Sequence, residues 1–450
     1  MKLFGTDGIR GKAGVPPLDR PTVARVGAAF ARARSASLGA GDPREALRVV
    51  IGRDTRESGA WIEEELSRGL ASEGARVVSA GVVPTPAVAY LARTEGFDAG
   101  VVISASHNPY EDNGIKVFSG AGEKIAESFE ADIERLVADP SWTLDAGAEP
   151  SIERRDLSAP YLAHLAQILE HAGSLTGSPI VIDCANGATA ALAPPFFASL
   201  GFDVQAIGVS PNGRNINLGC GSTHLQALSR AVVEGGALVG IAFDGDGDRA
   251  LLVDHLGTIV DGDAILLMAA MQMKGEGRLP GSAIVATVMS NIGLELALRE
   301  QGIAIVRCAV GDKYVMEEMV KRGLALGGEQ SGHVIFADHL FTGDGMATAL
   351  NVLRIMAASG RSLADLAAAM VSYPQVLVNV RVREKADYMA VPAIADAVRQ
   401  AESGLAGEGR LLVRYSGTEP LLRIMLEGKD DTAIRAWADA IAGAVTAHLA

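Results

Sequence analysis

At 450 residues, with 48% hydrophobic and 21% charged side chains, the chain is too long for one ordinary core and too apolar for disorder, so two to four domains are expected. Forty basic against 54 acidic residues give a net charge of −14 without a lysine- or arginine-rich block, which argues against a nucleic-acid or anionic-membrane partner. The start lacks a signal peptide's apolar region, apolar stretches such as Ala264 to Met271 fall short of a membrane span, and the three cysteines are scattered, so a cytoplasmic protein with reduced thiols is expected.

Along the chain a short apolar run repeatedly leads into a glycine-rich polar loop. Arg48–Ile51 runs into Gly52-Arg53-Asp54-Thr55-Arg56, and Ala99–Ile103 into Ser104-Ala105-Ser106-His107-Asn108-Pro109. Pro179–Ile182 runs into Asp183-Cys184-Ala185-Asn186-Gly187, and Ala237–Phe243 into Asp244-Gly245-Asp246-Gly247-Asp248. Runs apolar on both faces predict buried strands covered by helices, with ligands gathering at the strand ends. The last eighty residues differ. Ser362 and Asp365 predict a capping box opening a helix that stops before Pro374. Val376, Val378, Val380 and Val382 alternate as in a half-buried strand, Leu411–Val413 and Leu421–Leu426 add strands, and a helix follows Asp431. The division expected is 1–155, 156–252 and 253–371 as α/β domains, and 372–450 as an α+β domain with a largely antiparallel sheet.

Asp244, Asp246 and Asp248 alternate with glycine directly after an apolar strand. Such a curl brings three carboxylates to one point, which suits a hard cation such as Mg²⁺. A solvated acidic turn is the alternative, but bunched carboxylates repel without a cation. An EF-hand is excluded, because its sixth position would be Arg249 and its twelfth His255. Arg249 offers a guanidinium for a phosphate oxygen. Ser106 sits in another strand-end loop, where Asn108-Pro109 forces a turn. Alone it reads more commonly as a capping or turn serine, since no G-x-S-x-G elbow supports a hydrolase and an adjacent His107 is a poor base partner. Arg414 to Pro420 (Arg-Tyr-Ser-Gly-Thr-Glu-Pro), with Arg423, carries the clustered donors of a phosphate nest, or forms an ordinary hairpin turn. Gly327 to His333 could grip sugar hydroxyls through Glu329 and Ser331 or be a polar turn. Lys116 is a proton carrier if burial lowers its pKa, and surface otherwise.

In this order, the Ser106 loop, the Asp244–Arg249 loop, Gly328-Glu329-Gln330-Ser331-Gly332-His333 and Arg414–Pro420 resemble the motifs of the α-D-phosphohexomutase superfamily over essentially the whole chain. Within it, Phe4-Gly5-Thr6-Asp7-Gly8-Ile9-Arg10-Gly11, Asn215–Ser222 and Gln330 are most similar to the bacterial phosphoglucosamine mutases. The resemblance implies three mixed α/β domains and a TATA-binding-protein-like C-terminal domain around a central cleft. It implies interconversion of glucosamine 6-phosphate and glucosamine 1-phosphate, on the way to UDP-N-acetylglucosamine, through a phosphoserine at Ser106 and a bisphosphorylated sugar. Mg²⁺ would be held by Asp244, Asp246, Asp248 and Ser106, with a hexose bisphosphate as activator or intermediate. Lys116 and His333 would carry protons beside Arg10. Arg249, Glu329, Ser331, Arg414, Ser416, Gly417, Thr418 and Arg423 would hold the phosphorylated amino sugar. A homodimer and an activating kinase are implied as partners. The competing readings are a phosphomannomutase/phosphoglucomutase, which differs at the sugar C2 substituent, and a metal-dependent sugar phosphatase, which would release free phosphate.

Overall fold

The computed structural model describes residues 2–5, 7–37, 46–144, 149, 151–169, 173–416 and 420–450. Two compact units result, Met1–Met289 with Ile303–Ala369, and Ser290–Gly302 with Met370–Ala450. Among the described residues no helix is long and apolar enough to cross a membrane.

The first unit begins with β1 (Phe4–Gly5), β2 (Gly8–Lys12), α1 (Arg20–Ser37), β3 (Arg48–Arg53), α2 (Gly59–Ser72), β4 (Arg76–Val82) and α3 (Thr85–Thr94). It continues through β5 (Ala99–Ile103), β6 (Asp112–Ser119), α4 (Glu127–Ala138) and β7 (Ile152–Arg154). The strands form one sheet in the order β1-β2-β6-β5-β3-β4-β7. Its β5, β3, β4 and β7 are parallel, while β6, β2 and β1 add antiparallel strands on the far side. The apolar runs predicted as strands are β3 and β5, and Val49, Ile51, Val101 and Ile103 are fully buried with Ile62, Leu66 and Leu70 of α2. Truncating Ile103 to Ala would cost about 2–5 kcal/mol. The register Ile103↔Ile115 fixes both ends of the polar segment 104–111 that contains Ser106.

Next come α5 (Ser158–Ala166), β8 (Pro179–Asp183), α6 (Ala193–Ser199), β9 (Asp203–Ile207), α7 (Gln226–Gly235), β10 (Val239–Phe243), β11 (Ala250–Asp254) and β12 (Ile259–Val260). Their sheet runs β12-β11-β10-β8-β9. Parallel β8, β9 and β10 are extended by the antiparallel hairpin β10–β11, whose last pair is Phe243↔Ala250. This corrects the expected boundary at 252/253, which falls inside β11: hairpin pairing keeps β11 and β12 on the second sheet.

A third sheet, β14-β13-β15-β16, follows α8 (Gly262–Gly275). It contains β13 (Ala283–Thr287), β14 (Ala304–Cys308), β15 (Leu326–Gly328) and β16 (Val334–Phe336), with α10 (Asp312–Arg322), α11 (Gly345–Ser359) and α12 (Leu363–Ala367). The intervening α9 (Ile292–Glu300) belongs to the second unit. Asp261 caps α8 and Asp344 caps α11 through backbone N–H groups. At α12 the capping box predicted at Ser362 and Asp365 is present.

The second unit is built on β17 (Gln375–Arg381), α13 (Pro392–Leu405), β18 (Arg410–Tyr415), β19 (Leu421–Glu427) and α14 (Asp431–Leu449). Its sheet, β17-β19-β18, is antiparallel throughout. The alternating valines supply a strand with Val376 and Val380 buried against Ile434, Ile441 and Val445 of α14. The fold is thus three mixed α/β sheets followed by a small α+β domain.

Candidate active site

The acidic triplet lies in the six residues joining β10 to β11, a loop pinned by the Phe243↔Ala250 pair. Gly245 is required by close approach: a Cβ there would stand 2.6 Å from the Ser106 carbonyl oxygen. All three aspartates are buried, and one oxygen from each lies within 4.8 Å of the others. Ser106 Oγ donates to Asp244 Oδ2 at 2.5 Å, and Arg249 N donates to Asp244 Oδ1 at 3.2 Å. Thr85 Oγ1 donates to Asp246 Oδ2 at 2.6 Å. Burial, then the neighbouring Asp248 and Asp246, push the Asp244 carboxyl well above the usual range, as expected for like charges crowded together. Asp246 Oδ1 and Asp248 Oδ1 are buried without a hydrogen-bond partner. Three converging carboxylates with two outer oxygens unused fit a hard divalent cation.

Lys116 lies on β6 beside Arg10 of β2, because Arg10 pairs with Gly114 in the sheet register. Its ammonium is buried rather than at the surface, and donates to Asp246 Oδ2 at 2.8 Å and Asp248 Oδ2 at 3.0 Å, with Asp7 at 3.1 Å. Burial pulls this ammonium down, but Asp246, Asp248 and Asp7 together outweigh it and raise the lysine well above its ordinary value. The condition of a burial-lowered Lys116 is therefore not met: the carboxylates that surround it decide the sign. Arg10 pairs with Asp7. Lys124 bridges Asp7 to Asp312, carrying the ionic network on to the third sheet.

His333 and Glu329 belong to the turn between β15 and β16, where Glu329 N donates to His333 O at 2.9 Å. Gly343 N donates to His333 Nε2 at 3.2 Å, and a Cβ at Gly343 would meet the ring at 2.4 Å. Nε2 also stands 3.6 Å from Asp312 Oδ2, and Nδ1 is buried without a hydrogen-bond partner. Glu329 is buried and accepts from Gly311 N at 3.1 Å, while Ser331 Oγ is 3.5 Å from its carboxylate. Arg249 Nε and Arg10 Nε are also buried without partners. His107 Nδ1 stands 3.3 Å from Ser106 Oγ, and burial followed by Arg249 and Arg10 lowers its pKa to about 4. The sequence suggested little for this imidazole, yet the structure places it against the hydroxyl as a neutral ring.

The first unit therefore brings together Ser106, Lys116, Arg10, Asp244, Asp246, Asp248, Arg249 and His333, with Glu329 and Ser331 on the adjoining turn. Arg414, Ser416 and Arg423 lie in the second unit. There Arg414 is directly opposite Arg423 across β18 and β19, Arg423 Nη2 is 3.4 Å from Ser416 Oγ, and Lys385 Nζ donates to Ser416 O at 2.7 Å. Gly417 and Thr418 fall outside the described residues. Sequence reasoning missed Asp7, Asp54, Arg56, Thr85, Lys124, Asn217, Asp312 and Lys385. Asp54 and Arg56 were signalled only as charged residues at a strand end. Asp7 and Asn217 lie inside the Phe4–Gly11 and Asn215–Ser222 stretches but were given no role there; Thr85, Lys124, Asp312 and Lys385 carry no local signature, because their partners lie far away in the chain.

Models of the phosphoglucomutase/phosphomannomutase family match nearly the whole chain: alpha/beta/alpha domain I at residues 1–143, domain II at 159–257, domain III at 261–373 and the C-terminal domain at 377–444. Among similar proteins is the phosphoglucosamine mutase of Solibacter usitatus, 50% identical over 446 residues that cover 98% of each chain. That of Moorella thermoacetica is 49% identical and covers 95% of this chain and 96% of its own. A solved phosphoglucomutase/phosphomannomutase family protein from Burkholderia thailandensis superposes with a TM-score of 0.78 at 25% identity, covering 98% of this chain and 97% of that one. The fold is shared with N-acetylphosphoglucosamine mutase of Aspergillus fumigatus, solved with GlcNAc-6P and magnesium, at a TM-score of 0.69 and 19% identity over 99% and 95% of the two chains.

Proposed function

The chain belongs to the phosphoglucomutase/phosphomannomutase family, and from that premise we propose that it acts as a phosphoglucosamine mutase, interconverting glucosamine 6-phosphate and glucosamine 1-phosphate in UDP-N-acetylglucosamine synthesis. Relatives bearing that activity in their names are 45–50% identical over nearly full length. The observation that carries the reading is the pairing of two kinds of unused buried atoms in one site. Asp246 Oδ1 and Asp248 Oδ1 receive no hydrogen bond, which suits a cation, while Arg10 Nε and Arg249 Nε make none, Arg249 Nε standing 3.9 Å from Asp248 Oδ1, and His333 Nδ1 is likewise without a partner. A divalent ion and a phosphoryl group together satisfy both sets.

Ser106 works as a phosphoserine. A sugar hydroxyl forms the new O–P bond as the Ser106 Oγ–P bond breaks, and the hydroxyl proton leaves through His333, while Lys116, kept as an ammonium by Asp246, Asp248 and Asp7, can give a proton but not take one. The bisphosphorylated sugar then turns round, and Ser106 Oγ takes the other phosphoryl group. Mg²⁺, held by Asp244, Asp246, Asp248 and Ser106, would supply charge neutralisation for the transfer when bound. Arg249 and Arg10 meet the phosphoryl oxygens, and Glu329 and Ser331 hold sugar hydroxyls. Arg414, Ser416, Gly417, Thr418 and Arg423 hold the phosphate that is not reacting. Family likeness supports a hexose bisphosphate as activator, a homodimer, an activating kinase and a cytoplasmic location, which we include in the proposal. The four-domain division is likewise proposed, with the second boundary moved past Val260.

A coupled assay comparing glucosamine 1-phosphate with glucose 1-phosphate and mannose 1-phosphate tests the substrate: the amino sugar is expected to be preferred, and preference for either neutral sugar overturns the assignment. Intact mass after incubation with a hexose 1,6-bisphosphate tests the nucleophile. One phosphate is gained by the wild type and none by Ser106→Ala.

A further inference from the structure

We propose that Arg56, with its counter-ion Asp54, is the positioning residue that aims Ser106 at the acidic triplet. The proposal rests on the reading of Ser106 as phosphoryl acceptor. Ser106 adopts a φ of 54°, a left-handed conformation that costs a non-glycine residue on the order of 1–2 kcal/mol and persists only where the surroundings over-determine it. Both backbone polar atoms of Ser106 end on one buried ion pair. Its carbonyl accepts from Arg56 Nη2 at 2.9 Å. Its N–H donates to Ser104 Oγ at 2.9 Å, and Ser104 Oγ donates to Asp54 Oδ2 at 2.6 Å. Asp54 Oδ2 in turn accepts from Arg56 Nε at 2.8 Å, closing the ring of bonds.

The same guanidinium reaches the loop beyond the serine, donating to Asn108 O at 2.8 Å and to Pro109 O. Across from it Asn217, on the segment between β9 and α7, donates Nδ2 to Ser106 O at 2.9 Å and Asn108 O at 3.1 Å. Arg56 is 1% exposed and Asp54 fully buried. An ion pair so deep is a poor way to stabilise a fold, because desolvation offsets most of the attraction. What it supplies is geometry: a planar fork of N–H groups serves three carbonyls at fixed angles, which a lysine cannot do. With those carbonyls held, the Cα–Cβ bond of Ser106 is directed, and its Oγ donates to Asp244 Oδ2, 2.5 Å away. Misplacement by about 1 Å is enough to cost a phosphoryl transfer roughly 100-fold.

Arg56→Lys is therefore expected to lower kcat by about 100-fold while KM for the sugar phosphate changes by less than about 3-fold. Rates are expressed per Ser106 able to take phosphate from a hexose 1,6-bisphosphate, counted by intact mass, so that loss of folded protein does not enter. A crystal structure of the variant should show residue 106 out of the left-handed region. Because Arg56 and Asn217 hold the same two carbonyls, the losses in Arg56→Lys, Asn217→Ala and the double variant should be non-additive. If Arg56→Lys does not fold, Ser104→Ala cuts only the N–H arm and should cost about 10-fold in kcat. Turnover per competent site within about 3-fold of wild type in either variant, or strict additivity, overturns the positioning role. Failure of the wild type itself to take phosphate at Ser106 would instead overturn the mutase reading.

Discussion

The two regions to which the proposed function assigns phosphate are built on opposite principles. Around Ser106 the carboxylates and Lys116 are buried and densely bonded: Lys116 touches three carboxylates, and Ser106 is fixed at Oγ, N and O. On β18 and β19 of the second unit, Arg414 and Arg423 are half-buried and face each other across the strands. Like charges placed directly opposite cost stability, a cost that a bound anion removes. Under the proposed function, one region serves a transition state, where alignment decides the rate, and the other holds an anion, where charge decides affinity. Variants in the first should therefore lower kcat, and variants in the second should raise KM.

The hardest test of that contrast is Ser106→Ala, which should lower turnover by roughly 10⁴-fold or more while sugar-phosphate binding survives. Retained turnover sinks the central assignment. Asp246→Asn comes next. It removes one cation-facing carboxylate and one partner of Lys116, and kcat should drop by about 10²–10³-fold with a higher divalent-ion requirement. An unchanged magnesium titration curve would remove Asp246 from the metal site. Arg423→Ala should act differently, raising KM by about 10–100-fold, the worth of one charge-assisted hydrogen bond, with kcat nearly intact. Added salt should raise the wild-type KM in the same direction. A fall in kcat at constant KM would erase the distinction between the two regions.

What the sequence made visible follows the same division. Strand-end loops, the acidic triplet and the Ser362 capping box are written in local pattern, because alternation, glycine spacing and caps act over a few residues. Arg56, Asn217 and Thr85 were hidden for the opposite reason. The carbonyls around Arg56 and the partners of Asn217 and Thr85 are 50 to 161 residues away, and an arginine after a strand looks like surface until three carbonyls are folded around it. The placement of β11 was missed because an apolar strand does not announce which sheet it joins; the Phe243↔Ala250 pair does. Residues 290–302 lie within the domain III match at 261–373, while their contacts cluster with the second unit, as in the two bonds between Asn291 and Tyr373, both at 3.0 Å.

The smallest effect concerns the framework beneath the first region. Asp344 caps α11, accepts from Tyr161 Oη at 2.9 and 3.0 Å, and sits between Gly343, which bonds His333, and Gly345, which bonds Gly247 of the metal loop. Burial raises its carboxyl to about 6 from an ordinary 3.8, against the lowering effect of its hydrogen bonds. The sign follows directly. Between about pH 4 and 6 the native state keeps a proton that the unfolded chain releases, so this group makes stability fall as pH rises, by at most about 1.4 kcal/mol per pH unit. Asp344→Asn keeps the shape and an acceptor oxygen but has no proton to lose. Its thermal midpoint relative to wild type should therefore climb as pH goes from about 4 to 7, with little further change above that. A difference that stays flat across the window would mean that Asp344 is ionised throughout, and that the support under His333 and the metal loop is a charged cap rather than a neutral one.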